Sequence, residues 1–346
     1  MQGKDKSVNL KNKQTKEELA RLQTMCLEEK VNTTRTRLIE WYTRNNKQCY
    51  VSFSGGKDST VLADIAAQVC SLFNCKLVLW FSDTGLEFPE LREHTKTFGE
   101  YLKEKYNIEV ETIFDYPRDK NGKRITFRQV IEKYGYPLIS KNVAQNIYEY
   151  RQKPDGCRGK YFDSNSEYCQ KYGQAYCLEK WIPLRDSDIP ISHKCCNEMK
   201  KKPAKRFEKE TGLKPIVGTM TCESKARKTA WLKSGCNAFD SKRPISQPMS
   251  FWTEQDVWEY IVKYELPYPS VYGEVLKDKN GKYYTTGQER TGCMFCGFGV
   301  HLQKEPNNFQ RMKETHPKIW EYCMKPWNEG GLGMKEVLEF IGVKTE

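Results

Sequence analysis

No apolar stretch in this chain is long enough to cross a membrane. The best candidate, residues 61–69, is broken by Asp64 and falls far short of the roughly 20 residues a spanning helix needs. The N-terminal MQGKDKSVNLKNKQTK is polar and basic. It lacks the apolar core and small-residue cleavage site of a secretory signal, so a cytoplasmic location is the expectation and no membrane partner is expected. Internal repeats and low-complexity tracts are missing as well.

What is present describes a soluble globular protein. Apolar residues make up 38% of the 346 and charged residues 29%, enough for a real core in one large or two modest domains. Fourteen cysteines are many for such a length. Without an export signal they read as metal-binding or catalytic in part, the rest being small buried hydrophobes. The net charge of +12 suits either a polyanionic partner such as DNA or RNA, or a basic surface with a site for a nucleotide polyphosphate.

The pattern along the chain is that of an α/β fold. Residues 16–44 read as helical, with Leu19, Leu22, Leu38 and Trp41 at mixed three-four spacing. Then come a short strand at 48–53, a helix at 59–73, a continuous apolar strand at 76–81, a helix at 89–105 and a strand at 108–114. Strands of this buried type between helices indicate a Rossmann-like parallel sheet covered on both faces. Residues 152–180 read as a loop-rich insertion. Helices follow at 195–210, 223–233 and 253–264, the last capped by Thr253 with Asp256 three residues on, and a strand at 215–218. The division expected is a helical segment 1–44, an α/β domain 45–270 and a helical, cysteine-bearing region 271–346.

Between the first strand and its helix lies Ser54-Gly55-Gly56-Lys57-Asp58-Ser59-Thr60. Glycines permit a tight turn that exposes N–H groups, and the helix N-terminus adds partial positive charge; together they hold a phosphate. Ser54, Ser59 and Thr60 add hydroxyls, and Lys57 adds a point charge. Asp58 cannot help an anion directly, so its expected role is to hold Mg2+. The spacing is not that of a Walker A loop, because Lys57 is followed by Asp58.

The segment Ser54–Ser59 resembles the PP-loop of the ATP pyrophosphatases, the superfamily that includes the phosphoadenosine-phosphosulfate (PAPS) reductases. Asp83-Thr84-Gly85-Leu86-Glu87-Phe88-Pro89, Gly218-Thr-Met-Thr-Cys-Glu223-Ser224-Lys-Ala-Arg227, Phe251–Trp258 and Leu266–Tyr272 match that family's motifs in order. The resemblance spans about residues 45–300 and implies an adenine nucleotide alpha hydrolase-like fold. It places Asp83 and Glu87 beside ATP, Asp83 sharing Mg2+ with Asp58, with Glu223 at the nucleotide and Arg227 neutralising phosphate. Met220 stands where the family has arginine.

Cys195 and Cys196 are adjacent, and Cys293 and Cys296 form Cys-Met-Phe-Cys. Four thiolates in two close pairs can enclose a tetrahedral metal or a cubane. The arrangement resembles the [4Fe–4S] ligands of the adenylylsulfate-reductase branch of the family. Cys157, Cys169 and Cys177, with His193, form a looser set of standard spacing for no metal.

The resemblance implies adenylation of a nucleotide or other substrate, ATP giving AMP and pyrophosphate, with sulfur then displacing AMP. DNA phosphorothioation proteins of the DndC/SspD type and phage relatives are the nearest analogues in pattern, which brings in a cysteine desulfurase or other sulfur donor as partner. A PAPS or adenylylsulfate reductase is the alternative. The chain lacks that chemistry's Glu-Cys-Gly-x-His tail, and its last cysteine is Cys323. A non-catalytic nucleotide or nucleic-acid binding module is the third reading, which Asp58 and Asp83 disfavour.

Overall fold

The computed structural model describes residues 14–173 and 176–346. Residues 1–13 of the expected N-terminal helical segment lie outside it, as do Gln174 and Ala175 of the insertion. The chain forms two compact units. One gathers the chain up to Ser82, Pro89–Asp115 and Arg206–Arg290; the other gathers Asp83–Phe88, Tyr116–Lys205 and Thr291–Glu346. No helix among the described residues is long and apolar enough to cross a membrane.

The first unit opens with helices α1 (Lys16–Gln23) and α2 (Leu27–Arg44), over residues that read as one helical stretch. Then come β1 (Cys49–Ser52), α3 (Lys57–Phe73), β2 (Leu77–Ser82), α4 (Pro89–Tyr106) and β3 (Val110–Asp115). The sheet runs β3-β2-β1 and continues through Lys214–Ile216, Ile245–Ser246 and Asn237–Ala238. Every pairing is parallel except the last. The fold is therefore α/β and Rossmann-like. Neighbours of β1 lie on both sides, so the chain leaves its carboxyl end at a switch point, where such sheets bind ligands.

Side-chain alternation explains the two covered faces. Val51, Leu77 and Leu79 join the main core with Leu62, Ile65 and Phe98. Tyr50 and Trp80, one residue out of step, meet Phe207 of the helix Lys202–Thr211, at ring distances of 5.0 and 5.8 Å. Phe207→Ala would remove both contacts at a cost of about 3–5 kcal/mol.

In the second unit, Leu138–Ile139 pairs in parallel with Gly297–Phe298. Helices Phe127–Tyr134 and Lys141–Gln152 flank that pair in sequence, and Asn308–Thr315, Pro317–Met324 and Met334–Phe340 follow it. Arg128 donates to the carbonyls of Gly331 and Trp327 and lies 4.0 Å over the Trp327 ring.

Three readings shift. The helix placed at 195–210 begins with a π-turn, Asn197–Lys201, before Lys202–Thr211. The helix placed at 223–233 starts at Lys225, capped by the Ser224 hydroxyl; Glu223 ends a preceding 3-10 turn. A short repeat also emerges: Asp-Lys-Asn-Gly-Lys occurs at 119–123 and at 278–282. Both copies form the same turn. Asp119 Oδ1 accepts from the N–H of Asn121 and Lys123, and Asp278 Oδ1 from Asn280 and Lys282, while Gly122 and Gly281 take φ of +80° and +77°. The turn's own bonds demand Asp and Gly there, which is enough to produce the repeat.

Candidate nucleotide site and cysteine cluster

The first unit carries the phosphate loop. Past the end of β1, Phe53 N–H still bonds the Trp80 carbonyl at 2.9 Å, which fixes the chain just before Ser54. Gly55 then takes φ +74°, and a Cβ there would lie 2.6 Å from the Leu91 carbonyl oxygen. Only glycine fits. Gly56 caps α3, and its carbonyl accepts from the hydroxyls of Ser59 at 2.9 Å and Thr60 at 3.1 Å. Ser54 N–H donates to Ser59 Oγ at 3.2 Å. The hydroxyls thus shape the loop around the start of α3, where N–H groups and the helix dipole favour an anion. Thr60 Oγ1 also sits 3.0 Å from His94 Nε2. Burial drives the His94 pKa down from 6.5 to about 4, so this ring is neutral.

Lys57 is 4% exposed. Its ammonium lies 3.1 Å from Glu254 Oε1, donates to the Glu289 carbonyl at 3.3 Å and sits over the Tyr272 and Trp258 rings. Burial opposes that charge, but Asp58, Tyr272 and Glu254 outweigh it and hold the pKa above the ordinary lysine value. Asp58 is the opposite case. Its Oδ1 is buried with no hydrogen-bond partner, the Lys57 ammonium standing 3.8 Å away. Burial raises its pKa most; Lys57, Arg290 and Arg227 pull it back, while Glu254 adds to the rise.

Glu223 accepts from the Met220 N–H at 2.9 Å and pairs with Arg227 and, at 2.8 Å, with Arg290. Met220 itself, in the place of a family arginine, is 3% exposed and belongs to the core. Sequence reasoning missed Arg290, Glu254 and the exposed thiol of Cys222, which feels the charges of Asp58, Glu254 and Arg290. Nothing in their local pattern marks them; only the fold brings them to Asp58.

The second unit holds Asp83 and Glu87. Asp83 Oδ1 lies 3.3 Å from Arg124, which also donates to the Asp83 carbonyl at 3.1 Å. The Glu87 carboxylate accepts from Thr84 N–H at 3.1 Å, Thr84 Oγ1 at 2.8 Å and Leu86 N–H at 3.3 Å, closing its own loop. Its Oε1 is 3.3 Å from Lys200 Nζ. Burial disfavours the Lys200 charge, yet Cys293 and Glu87 raise its pKa. The Met294 N–H bonds the Leu86 carbonyl at 2.8 Å, tying the Asp-Thr-Gly loop to the Cys-Met-Phe-Cys turn.

That turn and the two residues just before the π-turn at 197–201 carry four thiols whose charges act on one another. A hydrogen bond from Cys195 lowers the Cys196 pKa most; burial opposes it, and Lys141 and Lys200 add to the fall, leaving about 5. The same bond, then burial and the charges of Cys196, Cys293 and Cys296, drive Cys195 up. Burial, then Cys293, lifts Cys296 to about 11. Single π-turns inside helices often mark functional sites. Four cysteine sulfurs beside two lysines are the donor type that an anionic iron–sulfur cluster uses. No three His, Cys, Asp or Glu among the described residues converge on one metal ion. Cys157 is exposed, Cys169 contacts the Lys160 carbonyl at 3.6 Å, and His193 packs edge-on against Tyr148, so these do not form the second metal set considered above. Cys323 is fully buried in its helix, and burial pushes its thiol well up, unlike a nucleophile on a mobile tail.

Two uncharacterized proteins of Methanocaldococcus jannaschii are similar to this chain. One is 25% identical over 312 residues, covering 90% of this chain and 55% of its own; the other is 23% identical over 280 residues, covering 81% and 41%. The chain thus spans about half the length of the curated relatives it matches. The solved NMN synthetase of Francisella tularensis is 14% identical, with 70% of this chain and 72% of that one covered at a TM-score of 0.32, too slight a likeness to carry an argument. The profile of the phosphoadenosine phosphosulfate reductase domain matches residues 48–153 and 126–297. With its phosphate loop, its Asp-Thr-Gly loop and the paired cysteines inside that span, this chain belongs to the phosphoadenosine phosphosulfate reductase domain family.

Proposed function

We propose that the chain is an ATP pyrophosphatase that adenylates its substrate for sulfur transfer. The observation that carries this reading is the orphaned Oδ1 of Asp58, buried at the first turn of α3. A carboxylate oxygen without a donor, beside a helix start that attracts anions, suits a cation that arrives with the anion, as Mg2+ does with a triphosphate. Magnesium there would offset charge on the departing phosphates. The amides of Gly55 and Gly56 would grip phosphate oxygens, and Lys57, Arg227 and Arg290 would supply the remaining positive charge. For Lys57 this means leaving Glu254.

In the reaction, a substrate oxygen attacks the α-phosphorus, the bond to the β-phosphate oxygen breaks, and pyrophosphate leaves. A sulfur nucleophile then displaces AMP. Cys195, Cys196, Cys293 and Cys296 would hold a [4Fe–4S] cluster, which when bound supplies a centre able to bind or relay sulfur. The net charge of +12 favours a nucleic acid as acceptor, with a cysteine desulfurase or another donor providing sulfur.

The test is pyrophosphate release from Mg·ATP by anaerobically purified protein offered DNA, RNA or sulfonucleotides, with iron and sulfide analysed on the same sample. Asp58→Asn should abolish release and leave iron content unchanged. Release that survives this substitution would overturn the assignment of the magnesium carboxylate.

A further inference from the structure

The insertion carries a feature that adenylation does not use. Tyr161, Tyr168 and Tyr172 form a ladder, with ring centroids 4.5 Å apart between the first two and 4.8 Å between the last two. Each ring has a cation over it. Lys160 Nζ stands 5.5 Å from both Tyr161 and Tyr168, and Lys171 Nζ 5.5 Å from Tyr172. A cleft of about 480 Å³ runs along the ladder, lined by Lys160, Glu167, Tyr168, Lys171 and Tyr172.

The ladder is not a core. Tyr172 is 52% exposed, and both lysines are exposed or partly so. It is held from below. Ser166 caps the helix Glu167–Tyr172 by accepting from the Cys169 N–H at 3.2 Å, and its own hydroxyl donates to the Lys160 carbonyl at 2.6 Å. Cys169 is fully buried and contacts the same carbonyl. The Leu178 N–H bonds the Tyr161 carbonyl at 2.6 Å. Arg158 is committed to Glu149, at 2.6 Å, and Asn146. The segment therefore packs the three rings against one another, edge-on at 65° and then tilted at 43°, with two exposed lysines beside them.

One exposed ring backed by two half-buried ones, with two exposed lysines beside them, matches one partner chemistry well: a chain of flat bases joined by phosphates. Base stacking on an aromatic ring is sequence-tolerant, and the lysines can leave the ring faces for phosphate oxygens. A duplex hides its base faces and fits such a ladder poorly. We propose that Tyr161, Tyr168 and Tyr172, with Lys160 and Lys171, form a docking surface for a single-stranded nucleic acid. This names the partner class for the reading above, but the binding itself needs neither ATP nor a cluster.

The experiment is fluorescence anisotropy with a labelled oligothymidylate of about ten nucleotides, titrated with the whole protein over a salt series. A duplex of the same length and Mg·ATP serve as separate ligands. Tyr172→Ala should weaken oligothymidylate binding about fivefold or more, since a stacked base contributes ~1–3 kcal/mol. Tyr172→Phe should retain the affinity. Lys160→Glu with Lys171→Glu should lower the salt slope by about 1.4, two phosphate contacts at ~0.7 each for a single strand. Affinity for Mg·ATP should stay unchanged in all of them, so a failure of the nucleotide reading shows up separately. The proposal is overturned if Tyr172→Ala binds like the unaltered protein, if Tyr172→Phe loses as much as Tyr172→Ala, or if duplex competes as well as single strand.

Discussion

Lys200 places its ammonium 3.3 Å from Glu87 Oε1 and beside the Cys293 thiol, so one side chain connects the acidic loop after β2 with the cysteine set. Its pKa stays above the ordinary lysine value although burial opposes the charge, because Cys293 and Glu87 both favour the ammonium. Removing that charge leaves Glu87, only 10% exposed at its side chain, without its cation.

Lys200→Met should therefore destabilise the protein. The lysine side chain is 41% exposed, so solvent screens the pair and the loss is about 1 kcal/mol rather than the several expected of a dry ion pair. Urea unfolding measures it. Glu87→Gln combined with Lys200→Met should cost less than the two singles added together; strict additivity would mean that the contact contributes nothing.

Asp58 makes a prediction of unusual sign. Burial raises its pKa above the ordinary aspartate value of 3.8, so the folded state holds its proton longer than the unfolded chain does. Stability of the nucleotide-free protein should fall as pH climbs from about 3.8 through that raised value, then level off. Asp58→Asn should remove the decline and raise the nucleotide-free melting midpoint at neutral pH. Mg·ATP at a hundred times its Kd should stabilise the unaltered protein by about 2.7 kcal/mol, and the variant hardly at all. Scanning calorimetry with and without nucleotide reads both effects.

His94 acts in the other direction. An imidazole held at about 4 in the fold and near 6.5 when unfolded takes up its proton preferentially in the unfolded chain. The stability it lends is complete above 6.5 and is lost as pH falls towards 4, by up to about 3 kcal/mol. His94→Gln should flatten this acid limb. A limb unchanged in the variant would place the acid sensitivity elsewhere.

Gly55→Ala should be costly even though it adds one methyl group. The backbone is left-handed there, and the new carbon would press on the Leu91 carbonyl and the Thr95 hydroxyl. A loss of about 2 kcal/mol in unfolding free energy is expected, together with weaker Mg·ATP binding in a thermal-shift titration.

The parts legible in the sequence were those set by local rules. Ser54-Gly-Gly-Lys-Asp-Ser59 reads as a phosphate loop because glycine is the residue its turn requires, and β2 reads as a strand because buried parallel strands are continuously apolar. The strands Asn237–Ala238 and Ile245–Ser246 are two residues long and carry no period to detect. Glu223 looked helical, but the Ser224 cap ends that possibility one residue later. Arg290 and Glu254 reach Asp58 only through tertiary folding, and Lys200 sits on the π-turn that no periodicity announced.

The twin Asp-Lys-Asn-Gly-Lys turns close through bonds that span at most four residues, and neither leans on a side chain outside its own loop for them. Each is a self-sufficient connector. Transplanted between the strands of an unrelated hairpin, the pentapeptide should fold as it does here and carry its two lysines with it, a portable cationic tip whose geometry travels with five letters of sequence.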